Sequence, residues 1–314
     1  MLRRSQMLLL PVLLLVAVPV MSQDLDELLV QVGQEYAEAY TEPIVHGVGA
    51  NQNTALFHTA YIPESTLTFS IGVKFMGTYL NESDQTFRKT LTDVELNDYL
   101  DLEEGDPGYG ERGDIVMQGP TAMGDTNTKG TATAYVDGVP IYTMATITGV
   151  VDTRWVPLAA PEFQIGGIVG LKASVRYMPP IKLSKYGDTS YLGYGLQWSP
   201  NFLLPDLPVD LMAGFFIQSI DVGEFIKTDA QSIHIAASQT HGLATIYLGA
   251  ATENSTMKVD YSQIDTGTPV SFETDGRMTA RATVGATFDL GVLVNAEMGI
   301  GKMVVYNIGI MFGM

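Results

Sequence analysis

The chain has 314 residues with no cysteine, 32 glycines and 17 basic against 35 acidic side chains; only 17% of it is charged, below the roughly 25% of ordinary soluble domains. The missing cysteines exclude disulfide scaffolds, thiolate metal sites and cysteine nucleophiles, and four histidines leave little for a His-rich metal site. A formal charge of −18 repels a polyanion, so nucleic acid is excluded as a partner.

Residues 1–22 read as a signal peptide. Arg3 and Arg4 precede an apolar run from Met7 to Met21, too short for a membrane-spanning helix, and Val20-Met21-Ser22 offers a cleavage site before Gln23. Residues 23–66 read as an N-terminal segment that is either a plug in a lumen or a periplasmic tail. Leu25, Leu28, Leu29 and Val32, then Tyr36 and Tyr40, predict a short amphipathic helix, and Glu42–Asn53, rich in glycine and asparagine, reads as loop. Pro43, His46, Gly47, Gly49 and Asn51 are the plug candidates.

After Gln23 no apolar run approaches the length of a helical span, and period-two alternation takes over. Leu171, Val175 and Tyr177 alternate with Lys172, Ser174 and Arg176. Leu192, Tyr194, Leu196 and Trp198 alternate with glycine and glutamine, and Tyr306, Ile308, Ile310 and Phe312 share one face of the last segment. The segments are longer than soluble strands and match the roughly 9–11 residues of a tilted strand crossing a bilayer. The fold predicted is all-β, a transmembrane antiparallel β-barrel over 67–314. Ten strands are favoured within a range of eight to fourteen, at 67–79, 141–151, 167–178, 189–199, 208–219, 231–240, 243–253, 277–288, 291–299 and 302–314. Tyr177, Trp198, Phe288 and Phe312 stand at strand ends as candidates for interfacial girdles.

Short turns are expected at His241-Gly242 and Asp289–Gly291 on the periplasmic side, and longer outward connections at Met178–Asp188, Ser219–Ala230 and Asn254–Gly276. Eleven acids lie between Asn81 and Asp114, and an acidic extracellular loop is expected over about 80–140. That run lacks the spacing of a calcium loop.

Lys172, Arg176, His234, Arg281 and Glu297 fall on inward faces and are the lumen and ligand candidates. A diagonal Arg281–Glu297 ion pair is expected across the last-but-one hairpin, neutralising charge in a narrow lumen; alternatively Arg281, Lys172 and Arg176 line a path for an anion or a fatty-acid headgroup. No nucleophile is paired with a base by spacing, so the chain reads as no enzyme, with no catalytic residue, no metal and no cofactor.

Tyr40-Thr41-Glu42-Pro43, Gly47-Val48-Gly49, Phe57-His58-Thr59-Ala60, Phe163-Gln164, Gly170-Leu171-Lys172 and Gly193-Tyr194-Gly195-Leu196-Gln197 resemble the motifs of an uncharacterised outer-membrane family of Bacteroidota. More distantly, a plug followed by a barrel is similar to the long-chain fatty-acid transporter family. The resemblance implies the outer membrane of a Gram-negative bacterium, with membrane lipid, the outer-membrane assembly machinery and a hydrophobic small molecule as partners. The function expected is binding or passage of such a molecule through a plugged lumen, or alternatively a non-transporting structural or surface-interaction barrel with acidic outer loops.

Overall fold

The computed structural model describes residues 33–100, 102–182, 188–204, 206–223, 225–260 and 271–313. The expected signal peptide and the Leu25–Val32 part of the expected helix lie outside them. One helix, α1 (Gln34–Gln52), precedes β1 (Thr68–Tyr79). Four strands follow as an insertion: β2 (Thr86–Glu95), β3 (Arg112–Pro120), β4 (Thr131–Val136) and β5 (Val139–Ala145). Then come β6 (Trp155–Ile168), β7 (Leu171–Lys182), β8 (Asp188–Trp198), β9 (Asp210–Val222), β10 (Ile226–His241) and β11 (Ala244–Asp260). The chain ends with β12 (Ser271–Asp275), β13 (Ala280–Asp289), β14 (Leu293–Ile300) and β15 (Val304–Gly313).

Ten of these strands close a barrel. β6 to β11 pair in sequence, β13 joins β11 to β14 and β15, and β1 closes the ring between β15 and β6; every pairing is antiparallel. The short β12 extends β13 along β11 beyond the ring. Outward positions carry the predicted apolar faces, with Ile233 68% and Ile308 57% exposed. Among the described residues no element covers this band, and its composition is the one suited to hydrocarbon. At one rim Trp155 packs against Tyr79 (5.0 Å) and Tyr306 (5.6 Å), the amphipathic rings that favour a membrane–water boundary.

Nine of the ten expected strands correspond to barrel strands, and one does not. Residues 141–151 contribute to β5 of the insertion and the loop after it, while the second barrel strand is β6. Pro157 and Pro161 disguise it. β6 pairs with β1 along its length but with β7 only from Glu162 to Ile168, so both prolines fall where the strand has a neighbour on one side and a missing N–H costs little. Ser219–Ala230 is also corrected, from a long connection to a tight hairpin between β9 and β10.

The expected acidic loop is folded. β2 to β5 form an antiparallel meander whose Leu96, Ile115, Met117, Ala132 and Ala134 are fully buried. They belong to the same apolar core as Tyr36, Tyr40 and Ile44 of α1 and Met76, Val156 and Leu158 of the barrel wall. β5 overlaps the strand expected at 141–151, whereas β2, β3 and β4 lie inside the stretch expected as loop.

Of the expected loop Glu42–Asn53, all but the C-cap residue Asn53 is helix. Glycine is required there by proximity to the wall: a Cβ on Gly47 would sit 2.6 Å from Val156, and one on Gly49 would overlap Ser255. Burial against the barrel overrides weak helix propensity and the cost of Pro43 inside the helix.

Candidate functional site

The lumen is occupied. α1 enters at the end carrying the insertion, where the Tyr36 ring meets Phe87 edge-on at 4.8 Å and its hydroxyl lies 2.8 Å from Thr146 Oγ1. The Tyr40 hydroxyl donates to Thr148 O at 3.0 Å. From Asn53 the chain continues through the barrel to the end bearing the short turns, where Val169 N donates to Glu64 O (2.8 Å) just before β1 begins. The predicted plug residues Pro43, His46, Gly47, Gly49 and Asn51 are all buried on this helix. Asn51 Nδ2 donates to Val156 O (2.6 Å) and Asn51 Oδ1 accepts from Thr78 (2.8 Å), tying the plug across the β1–β6 pair. His46 Nε2 is 3.6 Å from Glu42 Oε1, one turn away.

Below α1 the wall is polar and grips the plug backbone. Arg176, fully buried on β7, pairs through Nε with Glu162 at 2.7 Å, and its Nη atoms donate to Gln52 O (3.1 Å), Thr54 O (2.9 Å) and Ala55 O (2.6 Å). Gln218 Nε2 also donates to Gln52 O (2.6 Å). From the opposite wall Arg281 donates to Ala50 O (2.7 Å) and Glu253 Oε1 (2.8 Å) and bonds Thr54 Oγ1. Glu297 accepts from Ala55 N (3.1 Å) and Tyr247 Oη (3.2 Å). Ala55 has φ +59°, a left-handed conformation that a non-glycine residue adopts at a cost, and it is clamped between Glu297 on its N–H and Arg176 on its carbonyl. His234 lies within 3.2 Å of Gln197 Nε2, which also donates to Leu56 O (2.8 Å), and it stacks on Phe57 at 5.4 Å between centroids.

All five lumen candidates therefore face the interior, and four of them surround the plug: Arg176, Arg281, Glu297 and His234. The expected Arg281–Glu297 pair, which needs Glu297 opposite Thr283, is replaced by Arg281–Glu253, because Glu297 lies opposite Gly285. A two-residue register difference carries the carboxylate past reach. Sequence reasoning missed Glu162, Lys74, Gln197, Gln218, Glu253 and Asn295. Lys74, Gln197 and Glu253 sit at inward positions of recognised strands, so alternation already placed them there; Glu162 was hidden with β6.

At the turn end the plug leaves room. A pocket of about 410 Å³ lies between His58–Pro63 and the wall, lined by Thr68, Ser70, Gln164, Lys172, Leu293 and the backbone of neighbouring strands. Lys172 is 7% exposed and makes no hydrogen bond or ion pair among the described residues.

On the insertion the electrostatics are those of a solvated face. Between Leu80 and Arg154 there are fourteen acidic against five basic side chains. Hydrogen bonding and charge attraction from Arg112 hold the Asp93 carboxyl below its ordinary pKa, and Thr128 and Asn127 do the same for Asp125 by hydrogen bonds. Among the described residues no cluster of His, Asp and Glu is arranged to hold a metal.

The model of a family of unknown function (DUF6588) matches residues 3–314, and the chain belongs to that family. No curated protein matches it. Among solved structures, OmpT, an outer membrane protein of Vibrio cholerae, is 12% identical over 80% of this chain and 100% of its own, with a TM-score of 0.25. The β domain of the Bordetella autotransporter BrkA is 10% identical over 79% and 99%, with a TM-score of 0.29. A porin mutant of Rh. blastica is 10% identical over 79% and 100%, with a TM-score of 0.15. Scores this low do not superpose whole barrels.

Proposed function

We propose that the protein is a closed barrel of a Gram-negative outer membrane whose plug holds the acidic four-stranded sheet at the cell surface, where it meets partners. The observation that carries this reading is the single apolar core shared by sheet, plug and upper wall, continued below by the polar grip of Arg176 and Arg281 on the plug backbone. Steady passage through the lumen would require α1 to leave, breaking that grip and exposing Tyr36, Tyr40, Ile44 and Val48 at once. A wide aqueous channel also needs roughly 16 strands, and this barrel has ten. The lumen expectation thus narrows from passage to binding, which the turn-end pocket favours.

The test uses the absence of natural cysteine. Asp106→Cys in the insertion reacts with a membrane-impermeant maleimide on intact cells, and Leu290→Cys in the β13–β14 turn reacts only after the outer membrane is opened. In planar bilayers the full chain shows no steady conductance. Steady open-channel current, or labelling in the reverse pattern, overturns the reading.

A further inference from the structure

The interior carries one cation too many. Four buried cationic side chains, Lys74, Lys172, Arg176 and Arg281, stand with the carboxylates Glu162, Glu253 and Glu297; the fourth buried acid among the described residues, Asp84, is taken by the part-exposed Arg277 at 2.9 Å. Arg176 takes Glu162 at 2.7 Å and Arg281 takes Glu253 at 2.8 Å. Lys74 donates to Asn295 Oδ1 (3.0 Å) and feels the charge of Glu297. Lys172 is left over: the acid it feels, Glu162, is already committed to Arg176. An ammonium in this position is costly without a counter-charge.

The leftover charge does not sit at random. Lys172 stands on the wall of the turn-end pocket, together with Ser70, Thr68 and Gln164 as hydrogen-bonding groups and Ile62 and Leu293 as apolar ones. Beside them His58 Nδ1 is buried with no hydrogen-bond partner. A pocket of about 410 Å³ is the size that takes a small organic ligand.

We propose that this pocket binds a monoanionic amphiphile, a single carboxylate or phosphodiester head on a short apolar body, with the head against Lys172 and the body against Ile62 and Leu293. The charge count requires one negative charge and no more. The apolar wall selects against inorganic ions, and Asp289 at the rim repels a second charge. The site stands apart from the closure of the lumen, so a conductance result leaves it untouched.

The purified full chain in a neutral detergent is titrated calorimetrically with sodium octanoate, the monoanionic diester methyl octyl phosphate and, as the uncharged probe, octanol. Both anions bind saturably at one per chain and at least about tenfold more tightly than octanol, the discrimination a charge-assisted hydrogen bond supplies. Lys172→Met removes that preference and Lys172→Arg keeps it within about threefold, both variants being checked for heat-modifiable gel mobility. Ser70→Asp, which leaves Lys172 in place but supplies the counter-charge from the wall, abolishes anion binding and keeps the test decisive if Lys172→Met does not fold. Phosphatidylglycerol, a monoanionic diester, added to the micelles displaces methyl octyl phosphate if the natural head belongs to a lipid, and fails to do so if it belongs to a free acid. Anions that bind no better than octanol, or an anion preference that survives Lys172→Met or Ser70→Asp, overturn the proposal.

Discussion

Replacing Arg176 by methionine tests what pins the plug. The variant keeps much of the apolar stem but loses the Glu162 pair at 2.7 Å and the bonds to Gln52 O, Thr54 O and Ala55 O. Glu162, 2% exposed, is left with Gln164 as its one remaining hydrogen-bond donor (2.6 Å), and orphaning a buried charge in this way costs about 3–5 kcal/mol. The plug carbonyls lose donors as well, although Gln218 still serves Gln52 O. We therefore expect the unfolding free energy, from urea titration of the reconstituted barrel, to fall by at least about 3 kcal/mol, roughly a hundredfold in the equilibrium constant. Cleavage by an added protease should appear first within residues 53–62. Adding Glu162→Gln to Arg176→Met removes the orphaned charge and should restore part of the loss, about 1–3 kcal/mol, without restoring protection of the plug. A single variant that stays within about 1 kcal/mol of the parent with its plug still protected would refute the assignment of Arg176 as the pin.

Three further outcomes follow from separate parts of the molecule. Gly47→Ala places a methyl 2.6 Å from Val156, so we expect a loss of about 1–3 kcal/mol in the same titration; an unchanged midpoint would mean that the helix does not press on β6. Ile308→Arg puts a charge in the outward band and should cost about 2–4 kcal/mol in lipid vesicles; no cost there would argue against hydrocarbon contact. On the insertion, Asp93 has a folded pKa held below its ordinary 3.8 by Arg112, so its pairing stabilises the sheet above pH 3.8 and is lost as pH falls through the lower folded value. Carboxyl titration by NMR should show the depression in the parent and its disappearance in Arg112→Gln.

The barrel was legible because its signal repeats. An apolar face at every second position is forced by hydrocarbon on one side and a packed interior on the other, and Leu171 to Tyr177 or Tyr306 to Phe312 display it without interruption. Segments that satisfy two neighbours at once were harder to read. β6 carries prolines because its upper half has one paired edge, and α1 carries glycines because the wall lies against it. In both, the residue that breaks the local rule answers a contact distant in sequence. The same holds for the site: inward residues could be named from alternation, but Arg281 finds Glu253 on the neighbouring strand β11, on the side away from the short β13–β14 hairpin.

The two halves of the lumen divide the work of holding the plug. The upper half is largely apolar, rich in methionine (Met76, Met178, Met257, Met278 and Met303), and supplies most of the burial, with Gly47 and Gly49 pressed to the wall and Asn51 bonded to Val156 O and Thr78. The lower half holds the chain beyond the helix by its backbone, because the carbonyls of Gln52, Thr54 and Ala55 meet Arg176 while Ala55 N meets Glu297. Most of the apolar burial thus lies above, and the charge-assisted grip on the backbone lies below. A barrel that only needed sealing would have been served by the apolar half alone, so a fixed plug depth has a separate consequence: it sets the position of His58–Pro63, and with it the shape of the pocket in which Lys172 stands unpaired.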